Sequence, residues 1–249
     1  MNKYIKSTHL PLITLVAGLL TMVLRFILLA AGTDDKGLMP SGSFSDIFSW
    51  LLAVVTLIIL LMGTRNLREA NKFSFNFPAD LVGAVGALAA ALGILITSVT
   101  ELFAGGDALS IIGDGLGLLA VPALVLVALA RYQGRRSSVL LHGAVCIYLM
   151  VHLVSHYRLW SSYPQIQSYG FELLSIVCLM LACYHRATFD VGEGNRRSYA
   201  FCALAAVFFS IATLPGCDSP LFFIGCAAWM VTNLCNLKSL PGRHVRKEE

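Results

Sequence analysis

Eight predominantly apolar stretches, each about 20 residues long, constrain the fold of this chain more than any other feature. A helix needs about 20 such residues to cross the roughly 30 Å hydrocarbon core of a bilayer. Because hydrocarbon offers no hydrogen-bonding partners, a spanning segment of this kind satisfies its own backbone as a helix. The predicted spans cover residues 10–31, 45–64, 80–102, 108–130, 139–159, 170–189, 198–215 and 220–237. The predicted fold class is therefore an all-α, polytopic transmembrane helical bundle of about eight spans.

The composition agrees with a chain that lies in a membrane. Apolar residues make up 57% of it and charged residues 13%, with a mean hydropathy of +0.75, whereas about 25% charged residues are usual in soluble domains. The connections between the predicted spans are too short for a soluble catalytic domain, so we expect residues 1–249 to form a single integral membrane domain. The last two spans are the shortest, and the sequence leaves open whether both cross completely.

The positive charges predict how the chain is oriented. Cytoplasmic loops of membrane proteins are enriched in Lys and Arg. With the N-terminus inside, 15 of the 18 Lys and Arg residues fall on the cytoplasmic side. They are Lys3, Lys6, Arg65, Arg68, Lys72, Arg131, Arg135, Arg136, Arg186, Arg196, Arg197, Lys238, Arg243, Arg246 and Lys247. We therefore expect both termini in the cytoplasm, and the formal net charge of +4 reflects this orientation and not a nucleic-acid partner.

The sequence contains no motif of catalysis or cofactor binding. It has no Walker loop, no G-x-S-x-G elbow and no dinucleotide fingerprint. Its seven cysteines form no C-x-x-C pair and no metal-like spacing, so we expect free, mostly buried thiols. No cofactor and no catalytic residue is indicated, and whether the chain is an enzyme stays open, although nothing here favours it.

Arg25 is a charged residue inside the first predicted span. A guanidinium there costs about 2.5–3.5 kcal/mol unless it finds a partner or a wet cavity. It lies about 10 Å below the outer end of its span at 1.5 Å per residue, and Asp114 lies at a similar depth in the fourth span. Gly113 and Gly117 flank this aspartate and allow another helix to approach closely. We therefore expect that Arg25 and Asp114 can meet.

The fifth predicted span contains three histidines. His152 and His156 are one turn apart, and His142 is about 40° from His156 around the helix, so one face can carry all three. If the helices converge, these side chains and the charges near the outer helix ends, Glu101 among them, form a polar cavity open to the outside. The candidate binding residues are Arg25, Asp114, His152, His156, Arg158 and Glu172.

Two interpretations of this set stay open. As a functional site, an intramembrane acid beside histidines would bind a solute or relay protons. As a structural feature, Arg25 and Asp114 would be an ion pair that holds helices together, and the histidines would hydrogen-bond to neighbouring carbonyl groups. Metal binding is undecided, because His152 and His156 would need a third ligand from another helix, which Asp114 could offer.

Small residues repeat at four-residue spacing along the third predicted span. The stretch GAVGALAAALG carries them at Gly83, Gly86, Ala87, Ala89, Ala90 and Gly93. This pattern is typical of a helix surface that another helix approaches closely. It predicts packing and not a binding site.

Three stretches of the chain, RFILLAAGTDDKGLMP, YRLWSSYPQIQSYGFELL and CYHRATFDVGEGNRRSYAF, resemble an uncharacterised family of multi-span integral membrane proteins from anaerobic gut bacteria. The resemblance extends over nearly the whole chain. It implies a bacterial cytoplasmic (inner) membrane, and it transfers no activity, substrate or catalytic residue.

Three functional hypotheses follow. The first is a small-solute or proton-coupled transporter-like protein with an outward-facing polar pocket, favoured by the size of the chain and its lack of soluble domains. The second is a noncatalytic membrane sensor, assembly factor or partner subunit. The third, an intramembrane lipid-modifying enzyme, would need carboxylates together with a metal or a nucleophile. The expected partners are bilayer lipids and a small-molecule solute, while a membrane protein partner or a homo-oligomer of this chain stays open.

Overall fold

The computed structural model describes residues 9–30, 44–65, 67, 72–161, 169–235 and 237. Over these residues the protein is all-helical, with eight helices of 16 or more residues, one further helical turn and no strand. The elements are α1 (His9–Ala30), α2 (Phe44–Arg65), α3 (Phe73–Asn76), α4 (Leu81–Ala104), α5 (Ala108–Tyr132), α6 (Val139–Trp160), α7 (Gly170–Val191), α8 (Arg196–Thr213) and α9 (Pro220–Cys235). The predicted all-α class is confirmed.

The eight longer helices coincide with the eight predicted spans to within two residues at each end. Six of those in the described part of the chain, α1, α2, α4, α5, α6 and α7, are long and apolar enough to cross a membrane. The protein is therefore a membrane-spanning helical bundle. The last two helices have 18 and 16 residues, which correspond to about 27 and 24 Å at 1.5 Å per residue.

Several helix ends follow from local sequence signals. The Asp80 side chain caps α4 by accepting a hydrogen bond from the Gly83 N–H at 2.6 Å. Asn195 caps α8 in the same way, accepting from the Arg197 N–H at 3.0 Å. Short polar side chains are favoured at this position because they satisfy backbone donors that have no partner within the helix. At the end of α7, Gly192 adopts a φ of +94°, the left-handed conformation that terminates many helices at glycine.

Helices α4 to α9 pack side by side in a closed ring. Each helix packs against the next along the chain, and α9 packs back against α4. The α1–α2 pair packs against α8, so α8 has neighbours on several sides and is buried along most of its length. Because α8 meets protein more than lipid, it does not need the length of a lipid-facing span.

The surface of the bundle is apolar where it faces lipid. In the most apolar 18-residue stretch of each helix, only 22% of α1 and 28% of α2 is buried inside the protein, against 56% of α4. Phe26 and Met62 are 64% and 65% exposed, which would be costly in water. A broad exposed apolar surface of this kind is what a bilayer covers.

Polar side chains lie inside the ring at both of its ends, and apolar side chains fill the middle. Leu124 and Leu149 are almost completely buried in this middle layer. We call the end that carries the α4–α5 loop the outer end, because the loop charges predict that it faces outside, and we call the opposite end the inner end. The candidate site lies at the outer end.

Candidate functional site

Four titratable side chains from three helices meet near the outer end. Glu101 lies in the last turn of α4, Asp114 in the second turn of α5, and His152 and His156 on α6. One ligand atom from each of Glu101, His152 and His156 lies within 4.8 Å of the other two. The carboxyl groups of Glu101 and Asp114 are close enough to interact with each other. We call these four residues the outer cluster.

Short-range geometry brings part of this cluster together. His152 and His156 are four residues apart and therefore lie on one face of α6. Helices α4 and α5 are joined by only three residues, 105–107, and run antiparallel. Glu101 and Asp114 lie a few residues on either side of this connection, so they reach a similar depth.

The outer cluster is largely buried. The exposed fractions are 3% for Asp114, 4% for His152 and 8% for His156. Asp114 Oδ2 and His156 Nδ1 are buried and have no hydrogen-bond partner within the described residues. Since an unsatisfied buried polar atom costs about 1–3 kcal/mol, both atoms are available to a ligand.

Aromatic rings hold the two histidines in place. The ring centroids of His152 and His156 are 4.1 Å apart. Tyr148 lies 5.4 Å from His152 on one side, and Trp160 lies 4.8 Å from His156 on the other. Phe222 of α9 packs against His152 at 5.2 Å. The imidazole orientations are therefore set by packing along one face of α6.

Gly117 permits α4, α5 and α6 to approach each other just below the cluster. A Cβ atom at Gly117 would collide with Ser98 Oγ and would lie 2.9 Å from Tyr148 Cε2. A Cβ at Gly113 would make only an ordinary contact, 3.5 Å from Val151. The close helix approach expected around Asp114 is therefore confirmed at Gly117, while Gly113 is not needed for it.

A cavity of about 280 Å³ lies directly above the cluster. Glu101 and His156 line it from below, and Asp107, Arg158 and Asp218 line it nearer the surface. Arg158 Nη2 lies 3.2 Å from Asp107 Oδ2, and both side chains are mostly exposed. An exposed ion pair of this kind contributes little stability, so Arg158 forms part of the pocket rim. We call this cavity the outer pocket.

The helices that carry Arg25 and Asp114, α1 and α5, do not pack against each other, so the expected meeting of the two is corrected. Arg25 Nη1 donates to the Ala212 carbonyl oxygen at 3.3 Å, and the guanidinium lies 4.7 Å from the centroid of the Phe171 ring. It also interacts electrostatically with the carboxyl group of Glu172, which is only 3% exposed. The reason is the helix order, since α1 packs against α2 and α8, whereas α5 packs against α4 and α6.

The third histidine of α6 belongs to a different polar group at the inner end. His142 Nδ1 lies 3.4 Å from Asp190 Oδ2, and Arg186 Nη1 lies 3.6 Å from Asp190 Oδ1. His142 and His152 are separated by about 15 Å along the helix axis at 1.5 Å per residue. The three histidines therefore face the bundle interior but do not share one site.

An aromatic side chain closes the inner end. Phe77, in the segment between α3 and α4, is 1% exposed. The Arg186 guanidinium lies 3.8 Å from its ring centroid and that of Arg131 lies 5.2 Å away, while Phe189 packs edge-on at 5.2 Å. Arg131 Nη1 also donates to the Pro78 carbonyl oxygen at 2.6 Å. This segment thus folds across the inner end of the ring.

Sequence reasoning missed parts of both polar groups. It assigned Arg131 and Arg186 to the cytoplasmic side as charges of the inner loops, whereas both side chains are buried, at 2% and 3% exposure. Glu101 was expected among the charges of the polar cavity, but it is not one of the six predicted binding residues. The available signals were the depth of Glu101, which matches that of Asp114, and the aromatic stretch FSFNF next to basic helix ends.

The outer cluster is suited to holding a cation. Two carboxyl groups in contact repel each other when both are ionised, and a proton or a metal ion between them removes this repulsion. When they are neutral, the two histidines each add a ring nitrogen whose lone pair can bind a cation. Electrostatics and ligand type therefore both favour a positively charged ligand at the base of the outer pocket.

The fold and the site together define the class of protein. It is a helical membrane bundle with a buried cluster of acidic and histidine side chains below an open pocket. Comparison of the chain with protein-family models, with curated proteins and with solved structures finds no match. A fold of this kind can carry many functions, so the side chains of the site are what indicate the function of this protein.

Proposed function

We propose that this protein is a transporter-like membrane protein that binds a small cationic solute in its outer pocket. The observation that carries the proposal is the continuity between the pocket and the cluster. Glu101 and His156 line the cavity of about 280 Å³ and also belong to the buried cluster. A solute that enters the pocket can therefore reach the buried groups without crossing apolar side chains.

The charges that line the pocket favour a cation. Glu101 lies at its base, and Asp218 lies on its wall. At the rim the positive charge of Arg158 is balanced by Asp107 at 3.2 Å. The other carboxyl side chains that line the pocket, Glu101 and Asp218, have no such basic partner in the described lining, and Asp114 interacts with Glu101 from outside the lining. A cleft lined by one sign of charge concentrates ions of the opposite sign.

The inner end supports a transport role because it is closed. Phe77 fills the space between Arg131 and Arg186, and Phe189 packs against it. Alternating access requires a site that is open to one side of the membrane and closed to the other at any one time. We propose that the described conformation is the outward-open one, in a bacterial cytoplasmic membrane with both termini inside.

The experiment is cation uptake into liposomes that contain the purified full-length protein. The panel comprises protons, alkali metal ions, divalent metal ions and small organic amines. We expect at least one of these cations to enter, and Glu101→Gln to lower its initial rate by about tenfold or more, equivalent to 1.4 kcal/mol. The matched control is Glu193→Gln, since Glu193 is an exposed glutamate in the α7–α8 loop. Absence of uptake by the wild type, or equal rates in wild type and Glu101→Gln, would refute the proposal.

A noncatalytic role is the second candidate, as a sensor, an assembly factor or a partner subunit, with a membrane protein or a second copy of the chain as its partner. It is favoured by Arg25, whose contacts with Phe171 and Ala212 hold α1 against α7 and α8. A cation that raises the unfolding temperature of the wild type without entering liposomes would favour this role over transport.

An intramembrane enzyme is a third candidate, favoured by the grouping of Glu101, His152 and His156. Zinc enzymes commonly use three protein ligands of these types and leave one position open for water. Hydrolysis of added lipid that depends on Glu101, without cation uptake, would favour it over the first candidate.

A further inference from the structure

We propose that Glu101, His152 and His156 bind a divalent transition-metal ion at the base of the outer pocket. This inference rests on the proposed function, because it names the class of cation that the pocket admits. The three side chains, with Asp114 beside them, have the arrangement that such an ion requires.

The distances between the ligand atoms suit a small metal ion. One atom of each residue lies within 4.8 Å of the other two, and His156 Nε2 lies 3.9 Å from Glu101 Oε1. In a tetrahedral site with bonds of about 2.1 Å, neighbouring ligand atoms lie about 3.4 Å apart. Rotation of the flexible Glu101 side chain can shorten the distances that involve its carboxylate.

The types of ligand identify the class of metal. Imidazole nitrogen suits zinc, iron, cobalt, nickel and copper, whereas magnesium and calcium prefer sites made only of oxygen. The i, i+4 pair His152 and His156 presents two nitrogens from one helix face, and Glu101 supplies an oxygen from α4. Alkali metal ions gain little from such nitrogen donors, so a divalent transition metal fits this set better than sodium or potassium.

Asp114 lies beside one of the proposed ligands. Its carboxyl group is close enough to that of Glu101 for the two to interact, and its Oδ2 atom is buried with no hydrogen-bond partner in the described part of the chain. Carboxylates that bind metals are usually held by such partners, which orient them. We assign Asp114 as a positioning residue that acts through Glu101.

The inner polar group provides a contrast. It also contains a histidine and a carboxylate, His142 and Asp190, 3.4 Å apart. The Arg186 guanidinium, however, lies 3.6 Å from the same carboxyl group. A fixed positive charge at this distance opposes a second cation. The outer cluster has two carboxyl groups in contact and no arginine among its four members.

The test is metal binding by the full-length protein in detergent, purified with an affinity tag that contains no histidine. Cobalt(II) is titrated into metal-free protein and followed by its visible absorption, and zinc is then added as a competitor. We expect one ion per chain. His156→Gln and His152→Ala should each weaken binding by about tenfold or more, since even outer-sphere changes cost 10- to 100-fold. His185→Ala, a partly exposed histidine near the inner end of α7, is the matched control and should bind as the wild type does.

Thermal unfolding of the metal-free variants separates loss of a ligand from loss of fold. Asp114→Asn should keep the stoichiometry but shift the cobalt absorption spectrum, a change that a purely structural role would not produce. Wild-type protein that binds neither cobalt nor zinc would overturn the inference, as would folded histidine variants that bind like the wild type.

The two proposals fail in different ways. Uptake of another cation without any metal binding would overturn the metal site and leave the transport proposal standing. Tight metal binding that depends on His152 and His156, without uptake of any cation, would support the metal site and overturn the transport proposal.

Discussion

Arg25 is held in the apolar part of the bundle by three kinds of contact. Its guanidinium donates a hydrogen bond to the Ala212 carbonyl oxygen at 3.3 Å and lies over the Phe171 ring at 4.7 Å. The third contact is electrostatic, with the buried carboxyl group of Glu172. A charged side chain at mid-membrane costs about 2.5–3.5 kcal/mol, and these contacts together offset that cost. Arg25 thereby connects α1 with α7 and α8.

The pairing with Glu172 leads to a prediction for stability. Arg25→Leu leaves the Glu172 carboxyl group buried without its counter-charge, and removing one partner of a buried pair costs about 3–5 kcal/mol. We expect a loss of about 3 kcal/mol, at the lower end of that range, because Arg25 itself is only partly buried. The free energy of unfolding in mixed detergent micelles provides the measurement.

The double variant Arg25→Leu/Glu172→Gln is the control for this pairing. It should recover much of the stability, because no uncompensated charge remains, and Arg25→Leu/Asp114→Asn should not. A double-mutant cycle in which the effects of Arg25→Leu and Glu172→Gln simply add would show that the two residues do not interact.

At the scale of the helices, glycines determine how closely α4 and α9 pack. A Cβ atom at Gly93 would lie 2.6 Å from the Leu221 carbonyl oxygen, and one at Gly225 would lie 2.5 Å from that of Ala89. These backbones therefore touch without intervening side chains. The close contact predicted from the small residues of α4 is confirmed, with α9 as its partner. Membrane helices rely on such packing because lipid gives them no hydrophobic force to associate.

Adding a single methyl group to this contact should separate the helices. We expect Gly93→Ala and Gly225→Ala each to destabilise the protein by about 1–3 kcal/mol, the usual cost of overpacking. Gly143→Ala is the matched control, since a Cβ at Gly143 on α6 meets no described atom within 4 Å. Unfolding temperatures of the three variants in one detergent provide the comparison. Equal temperatures would mean that α4 and α9 can move apart at no cost.

Helix α8 shows why the last two predicted spans were difficult to judge from the sequence. It begins with Arg196 and Arg197 and has 18 residues, so it is less apolar than a lipid-facing span. Phe208 and Ala212 are completely buried, because α1, α2, α7 and α9 surround the helix. The packing of the other helices determines which segments surround α8, and the hydropathy of α8 itself does not indicate them.

At the scale of the whole molecule, the two ends of the ring differ. The outer end has a cavity of about 280 Å³ above a buried cluster, and the inner end is filled by Phe77 between two arginines. Which end faces the cytoplasm stays a prediction from the loop charges. It can be tested by the reaction of single introduced cysteines with a maleimide that does not cross membranes.

Gly106→Cys lies in the α4–α5 loop, and Gln133→Cys lies at the opposite end of α5, both at exposed positions. In intact cells we expect Gly106→Cys to react and Gln133→Cys to react only after the membrane is permeabilised. The native Cys217 should contribute little background, because burial raises the pKa of its thiol to about 11 and the thiolate is the reactive form. The reverse pattern would place both termini outside.

Properties that depend on local sequence were predictable. The lengths of the apolar stretches gave the helix boundaries, because about 20 residues are needed to cross the hydrocarbon core. The four-residue spacing of His152 and His156 put both on one face of α6, because helix periodicity is a local property. The depths of Asp114 and Glu101 could be read from their distances to the same short loop.

Local patterns in the sequence were thus enough to predict a bundle of apolar helices, the helix ends to within two residues, and the residues that share a helix face. The three-dimensional packing was needed to show that Glu101 completes the outer cluster, that Arg25 interacts with Glu172 and not with Asp114, and that Arg131 and Arg186 enclose Phe77. The physical reason is that the neighbours of a helix are chosen by the packing of all its faces against segments far away in sequence. Hydropathy and periodicity describe one helix at a time, and they contain no information about which helices meet.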